Sequence, residues 1–355
     1  MRVVETGDAR AVDTVDCVIV GAGPCGLAAA IAAQRAGFSS VVFDRGPLVS
    51  GIAGYPTHMT FFSTAERIAI GGVPFIVATE KPTRRDALAY YREVATNFRL
   101  DVRPFEVVEA MVSLAGAGAG AGADDGADAE ARHDRVRWQV ETRHRTGAQH
   151  TTRSRAVVVA TGYFGRPNRL GVPGESLPHV RHGYVDGHDA WNETVVIVGG
   201  GNSAVDAALE MHRSGGRVTM VHFGESLDPN IKPWVRPEIE ARLSDASIHA
   251  VFGARVVAIE PDAVIVQSAD GEQRLSATQV YTMTGYLPET GLLAQVGVPI
   301  DAATGIPAHD PLTMATPLPG LYLAGVIASG LQANRIFIEN GRDHGDLIVA
   351  HLGAI

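Results

Sequence analysis

The hydrophobic positions of this chain fall into short continuous runs separated by glycine-rich breaks. Residues 15–20 (VDCVIV) form the first run. A run of that length, apolar at consecutive positions, suits a parallel strand buried on both faces. GAGPCG follows, then LAAAIAAQRAG, an alanine-rich helix that Gly37 stops. SSVVFD is the next strand and ends at Asp44. Residues 83–98 (TRRDALAYYREVATNF) predict a helix, residues 105–114 and 135–142 predict strands, and AVVVAT at 156–161 predicts another buried strand.

The opening pattern then returns. ETVVIV is a strand, GGGNSA a turn, VDAALEMHRSGG a helix with a glycine stop, and RVTMVH a strand. Further strands are predicted near 256–259, 264–267 and 280–283, a late one in LPGLYLAG, and a C-terminal helix over 337–352. GRPNRLGVPGESLP is a Pro/Gly-rich linker between the two copies. The tract GAGAGAGADDGADAEA, 116–131, cannot build a packed core and predicts a mobile surface insertion. The expected fold is α/β with two Rossmann-like dinucleotide-binding domains. The second domain, 169–286, is inserted into the first, 1–168 and 287–355.

Each copy carries a phosphate-binding fingerprint in the right place. Gly21-x-Gly23-x-x-Gly26, with Pro24 and Cys25 inside it, lies after a strand and before a helix. Gly21 permits the tight turn, Gly23 lets the backbone approach a pyrophosphate, and Gly26 lets the helix pack on the strand. N–H groups at the helix start then hold the phosphates. Asp44, eighteen residues past Gly26 (44 − 26), ends the next strand and can accept hydrogen bonds from a ribose.

Gly199-x-Gly201-x-x-Ala204 repeats the motif, with Asn202 and Ser203 opening its helix. Eighteen residues past Ala204 (222 − 204) stands His222, where the first copy has an acid. Loss of the acid removes repulsion toward a 2′-phosphate and favours NADPH over NADH. Glu225 can still serve a 2′-hydroxyl, and Lys232 and Arg236 are candidate phosphate partners or surface charge. Thr161-Gly162 closes one central strand and Thr284-Gly285 echoes it in the second copy. Many two-fingerprint flavoproteins place FAD first and the nicotinamide dinucleotide second, and this chain has that layout.

Composition narrows the classes. Of 355 residues, 46% are hydrophobic and 19% charged, enough for large cores and against global disorder. A net charge of −9 argues against nucleic acid or an anionic membrane as the main partner. The first sixteen residues carry acids and no long apolar run, so no signal peptide is expected, and no run reaches bilayer length. Cys17 and Cys25 cannot build a disulfide framework or a zinc site, and no metal is expected. The expectation is a cytoplasmic enzyme.

Several longer segments resemble the YpdA-like bacillithiol disulfide reductases, within the thioredoxin reductase-like flavoproteins. They are VIVGAGPCGLAAAI, YPTHMTFFSTAERIAIGGVPF, KPTRRDALAYYREV, GGGNSAVDAALE, IKPWVRPE, MTGY, PGLYLAGVIASG and IFIENGRDHG, and they span most of the chain. The resemblance implies FAD at the first turn, NADPH at the second, and a small-molecule thiol disulfide, oxidised bacillithiol, as substrate. It also implies a homo-oligomer. Phe223 stands where such proteins carry an Arg, which leaves NADH open, and the late strand ends in Gly325-Val326 instead of Gly-Asp.

Thioredoxin reductases carry Cys-x-x-Cys just before the second fingerprint; HVRHGYVDGHDAWNE has no cysteine. Electrons therefore leave a flavin directly or through a single thiol. Cys25 is the candidate for that thiol, since helix-start N–H groups favour a thiolate while a pyrophosphate opposes one. It equally suits a plain small-residue slot in the turn. The loop 55–64 is expected to line the flavin ring, with Phe61 and Phe62 stacking or packing and Thr57, Thr60 and Ser63 hydrogen-bonding. His58 is a proton donor or a structural residue. Glu339 and Asn340 open the last helix, whose N-terminus would stabilise an anionic reduced flavin. The alternatives are a ferredoxin or flavodoxin reductase, a flavin monooxygenase, and a non-catalytic dinucleotide sensor.

Overall fold

The computed structural model describes residues 12–114 and 136–354. The tract 116–131 and the first residues lie outside them. The described chain forms two compact units. The first comprises Met1–Gly54, Ser63–Arg166 and Leu287–Ile355, and the second Tyr55–Phe62 and Pro167–Tyr286.

In the first unit the strands Val102–Pro104, Ser40–Asp44, Val12–Val20 and Gln149–Val159 lie side by side in that order, all parallel. The late strand Leu321–Leu323 pairs with Val157–Val159 on the far side. The pairings Val18↔Val41 and Val18↔Val157 bring apolar runs into register, and Val18 and Ile19 are fully buried. The start of Gln149–Val159 also pairs antiparallel with Trp138–His144, which pairs with Glu106–Ser113. The helix Pro24–Arg35 follows the first strand and buries Leu27, Ala30 and Ile31. The helix Arg84–Asn97 begins at Thr83, which forms a reciprocal cap with Asp86.

The second unit repeats the plan. Its parallel order is His249–Val251, Arg217–Val221, Thr194–Val198, Gln279–Thr282, Val180–Arg181. The helix Asn202–Arg213 follows the central strand Thr194–Val198. A separate antiparallel sheet joins Arg255–Glu260, Ala263–Ser268 and Gly271–Ser276. In both units the fingerprint turn sits at the carboxyl end of a central parallel strand, where crossovers leave in opposite directions and ligands bind in such sheets.

Three expectations change. The segment Tyr55–Phe62 groups with the inserted unit and not the first. The C-terminal helix is two pieces, Ile338–Gly341 and His344–Ala354. The strand Gly271–Ser276 and the helix Arg236–Ser244 carry too few apolar positions to announce themselves.

The long C-terminal helix packs on the first fingerprint helix through Gly345. A Cβ there would stand 2.7 Å from Ala29 Cα and 3.2 Å from the Ala28 carbonyl oxygen. Ala raises helix propensity by about 1 kcal/mol over Gly. Overpacking against backbone that cannot move costs about 1–3 kcal/mol. Gly345→Ala is therefore expected to lower stability by up to about 2 kcal/mol on a denaturant midpoint; a higher midpoint contradicts the packing.

Candidate functional site

The two turns are built by close backbone contact. Gly21 has φ +115°, and a Cβ on it would stand 2.3 Å from the Ala160 carbonyl oxygen. A Cβ on Gly26 would stand 1.9 Å from the Gly21 carbonyl oxygen. Both positions therefore require glycine for the fold itself. Gly23 is different. Its φ is −75°, and a Cβ there meets nothing within 4 Å. The protein has no steric need of glycine at that point, so the bare backbone leaves a cradle beside the helix start. Gly23 caps that helix without a side-chain hydrogen bond and Pro24 occupies its first turn, leaving N–H groups there with no side-chain partner.

Asp44 is buried and has taken on a structural task. Its Oδ2 accepts the Ala22 N–H at 2.8 Å and its Oδ1 accepts the Gly46 N–H at 2.8 Å. The acid thus clamps the turn, while each oxygen keeps a lone pair for a further donor. Thr161, closing the neighbouring strand, has a buried Oγ1 with no hydrogen-bond partner among the described residues. Gly162 follows at φ +75° with open space where a Cβ would be. An orphan hydroxyl and a bare glycine beside the cradle fit a dinucleotide at this edge.

Cys25 turns its thiol into the same unit. A Cβ on Gly325 would lie 3.0 Å from Cys25 Sγ, and one on Gly341 would lie 2.9 Å from it. The two glycines make room for the sulfur. Burial, reinforced by the Asp343 charge, pushes the thiol up to about 12. Of the two opposed influences on this thiol, the surroundings add to the one against a thiolate. His344 Nδ1 accepts the Gly325 N–H at 3.1 Å and holds this late turn in place. Burial lowers the His344 pKa, and the neighbouring His309 lowers it further, so Nδ1 remains an acceptor at neutral pH.

Glu339 accepts from Ser63 Oγ and pairs with Arg67 at 3.0 Å, which ties the segment after residue 62 to the short C-terminal helix. The Ser63 hydrogen bond, ahead of the Arg67 contact, holds the Glu339 carboxyl below the usual range. Asn340 is occupied by its own turn: Oδ1 accepts the Phe337 N–H and Nδ2 donates to the Arg335 carbonyl.

In the second unit, Thr57 donates its backbone N–H to the Val185 carbonyl at 2.7 Å, and its side chain is exposed. Phe61 is buried, edge-on to Tyr55, whereas Phe62 is 59% exposed beside Trp234, with ring centroids 5.6 Å apart. Gly199 has φ +144° and would bring a Cβ within 2.5 Å of the Met283 carbonyl oxygen. Gly201, like Gly23, meets nothing. Ala204 is fully buried in the place of Gly26, Ser203 is exposed, and Gly285 repeats the open, positive-φ geometry of Gly162.

Two expected ligand groups are already committed. Asn202 Oδ1 accepts the Lys232 N–H and its Nδ2 donates to the Asn230 carbonyl, so it pins the loop ahead of helix Arg236–Ser244. Lys232 Nζ pairs with Asp206 at 2.6 Å, which leaves it a poor phosphate partner. His222 is half-buried, its Nδ1 has no partner among the described residues, and burial holds its pKa below the ordinary value. Arg255, which no motif marks, lies with its guanidinium 5.0 Å from the Phe223 ring centroid. No helix among the described residues is long and apolar enough to cross a membrane.

The pattern of the pyridine nucleotide-disulphide oxidoreductases matches residues 18–117 and 132–325. Bacilliredoxin reductase Bdr of Bacillus subtilis (strain 168) is 41% identical over 338 residues, 94% of this chain and 96% of that protein. Among solved structures, bacillithiol disulfide reductase Bdr (YpdA) from Bacillus cereus superposes with a TM-score of 0.87 at 41% identity, over 96% of this chain and 99% of that one. The Staphylococcus aureus Bdr (YpdA) gives 0.86 at 36% identity, over 97% and 99%.

Burial pushes Cys17 as well as Cys25 up to about 12, so both thiols stay protonated in the folded chain through pH 9. Their alkylation by iodoacetamide at pH 8 is expected to run more than about a hundredfold slower than in denaturant, because the thiolate is the nucleophile. A fast-reacting thiol in the folded protein contradicts the packing around Cys25.

Proposed function

The chain belongs to the pyridine nucleotide-disulphide oxidoreductase family, and from that premise we propose that it is an NADPH-dependent flavoprotein that reduces a low-molecular-weight thiol disulfide, oxidised bacillithiol. The observation that carries this reading is the pair of cradles at Gly23 and Gly201, each bare where the fold needs no glycine, together with the likeness to Bdr along nearly the whole chain. When bound, FAD would take a hydride from NADPH and return the electron pair to the disulfide, giving two thiols with one further proton from solvent.

The chain's own residues would then bind and orient. Gly21, Gly23, Pro24 and Gly26 shape the start of the first helix for the FAD pyrophosphate. The remaining lone pairs of Asp44 would take a ribose, and the Thr161 hydroxyl with Gly162 would take a further polar group of the same ligand. Gly325, Glu339, Asn340 and Ser63 would hold the flavin edge through the turns they brace. Thr57, Phe61 and Phe62 would present the substrate side. Gly199, Gly201, Asn202, Ser203, Ala204 and Gly285 would shape the NADPH turn, with His222 at its ribose end. Under the same reading the enzyme works in the cytoplasm as a homo-oligomer.

The route of the electrons has two forms. Cys25 stands inside the first turn, where a thiol relay is conceivable. Its surroundings keep it protonated, which favours direct transfer to the disulfide and a packing role for the sulfur. Cys25→Ala is therefore expected to keep disulfide turnover within about threefold, a change near 0.6 kcal/mol; loss of turnover with flavin still bound restores the relay.

The purified protein is expected to be yellow and to consume NADPH with oxidised bacillithiol. Gly23→Ala meets no protein atom, so the apoprotein should keep its stability within about 0.5 kcal/mol while most bound flavin is lost, read from absorbance near the flavin maximum. A wild-type protein that releases no flavin on denaturation overturns the proposal.

A further inference from the structure

The strand Arg217–Val221 delivers His222 to the place where such units read the ribose of a dinucleotide. Three backbone hydrogen bonds fasten this strand end to the loop before Arg255–Glu260. His222 donates to the Val251 carbonyl at 3.0 Å, Ala254 donates to the His222 carbonyl at 3.1 Å, and Gly253 donates to the Gly224 carbonyl at 2.9 Å. The fastening sets the Arg255 guanidinium over Phe223. Phe223 is 63% exposed, yet it is not idle: one ring neighbour is the cation and the other is His222, at 4.6 Å between centroids.

The other cations near this end have their donors occupied. Lys232 pairs with Asp206, and Arg236 pairs with Glu240 and donates to the carbonyls of Asp228 and Pro229. The Arg255 side chain makes no hydrogen bond or ion pair among the described residues. A guanidinium lying on an aromatic ring keeps its N–H donors at its edge, where they can take a phosphate in a fork. The competing group is Glu225. It is exposed, and its carboxylate lies 3.2 Å from where a Gly253 Cβ would be. Glu225 would serve a 2′-hydroxyl; Arg255 would serve a 2′-phosphate. Both contacts are charge-assisted, but only the guanidinium and the phosphate join two opposite charges through a two-pronged fork, which decides for Arg255.

We propose that Arg255, held over Phe223 with His222 beside it, forms a subsite for the 2′-phosphate of an adenine dinucleotide and so selects NADPH. The proposal rests on the reading of the second unit as the nicotinamide dinucleotide site. Calorimetric titration of the purified full chain with 2′,5′-ADP and with 5′-AMP tests it without turnover. The wild type is expected to bind 2′,5′-ADP at least about tenfold more tightly than 5′-AMP. Arg255→Ala should remove most of that gap and leave 5′-AMP within about twofold, and Arg255→Lys, which keeps the charge but loses the fork, should fall between. Equal affinities in the wild type, or a gap that survives Arg255→Ala, overturn the subsite while leaving the nucleotide site standing. If neither nucleotide binds, the reading of the second unit falls, and the subsite with it.

Discussion

The architecture depends on one steric constraint, the contact of a helix start with the turn that precedes it. In the first unit the Gly21 carbonyl occupies the space that a Cβ of Gly26 would need. The helix can therefore begin directly behind the strand, and its uncapped N–H groups face the carboxyl edge of the sheet. The second unit keeps the arrangement with Gly199 against the Met283 carbonyl, and it tolerates Ala204 where the first needs Gly26. Within the two turns, the glycines that the fold requires separate from those that it leaves open. Gly21, Gly26 and Gly199 are excluded from substitution by protein atoms, whereas Gly23 and Gly201 are bounded by nothing in the chain. At the start of a helix behind a parallel strand, such an open backbone position leaves room for a ligand to approach the free N–H groups.

How far the sequence reveals this follows from the range of the interactions. Turn, helix and flanking strands depend on neighbours a few residues away, so the apolar runs and glycine spacing announce both units. The parallel strands need long crossovers, yet their unbroken apolar runs still identify them, because burial on both faces leaves no alternation. What cannot be read locally is the allegiance of Tyr55–Phe62. That segment is aromatic, and aromatic side chains pack on whichever surface is offered; the Thr57 N–H finds its acceptor at Val185, over a hundred residues away in the chain. The break between the last two helices is equally hidden, since 337–352 is helix-compatible throughout and the interruption near Arg342 and Asp343 arises where Arg342 reaches the carbonyls of Glu66 and Ala69.

Candidate ligand groups show the same limit more sharply. Residue type and spacing mark Asp44, Asn202 and Lys232 as binders, and each proves to be spending its polar atoms on the protein: on turn N–H groups, on the loop at Asn230, on Asp206. A polar side chain near a nucleotide turn serves the ligand only with donors or acceptors left after the fold has been satisfied. Counting what remains points to the Thr161 hydroxyl, at a strand end the sequence marks, and to the Arg255 guanidinium, which no motif marks. Arg255 stands 33 residues beyond His222 (255 − 222), and only backbone pairing between two loops makes them neighbours.

The same accounting bears on Cys25. A helix start favours a thiolate by a fraction of a kcal/mol to about 2 kcal/mol, but removing a thiolate from water opposes it, and here that burial dominates, with Asp343 adding a like charge. The glycines at 325 and 341 are part of the same arrangement, because side chains at either position would meet the sulfur. Three separated segments thus meet at one small point at the first turn, with His344 holding the Gly325 N–H. A sulfur so placed is suited to fixing the distance between the first helix and the late turn. Thiol chemistry at this point would first have to ionise a sulfur that its surroundings hold protonated, whereas direct transfer to the disulfide would not.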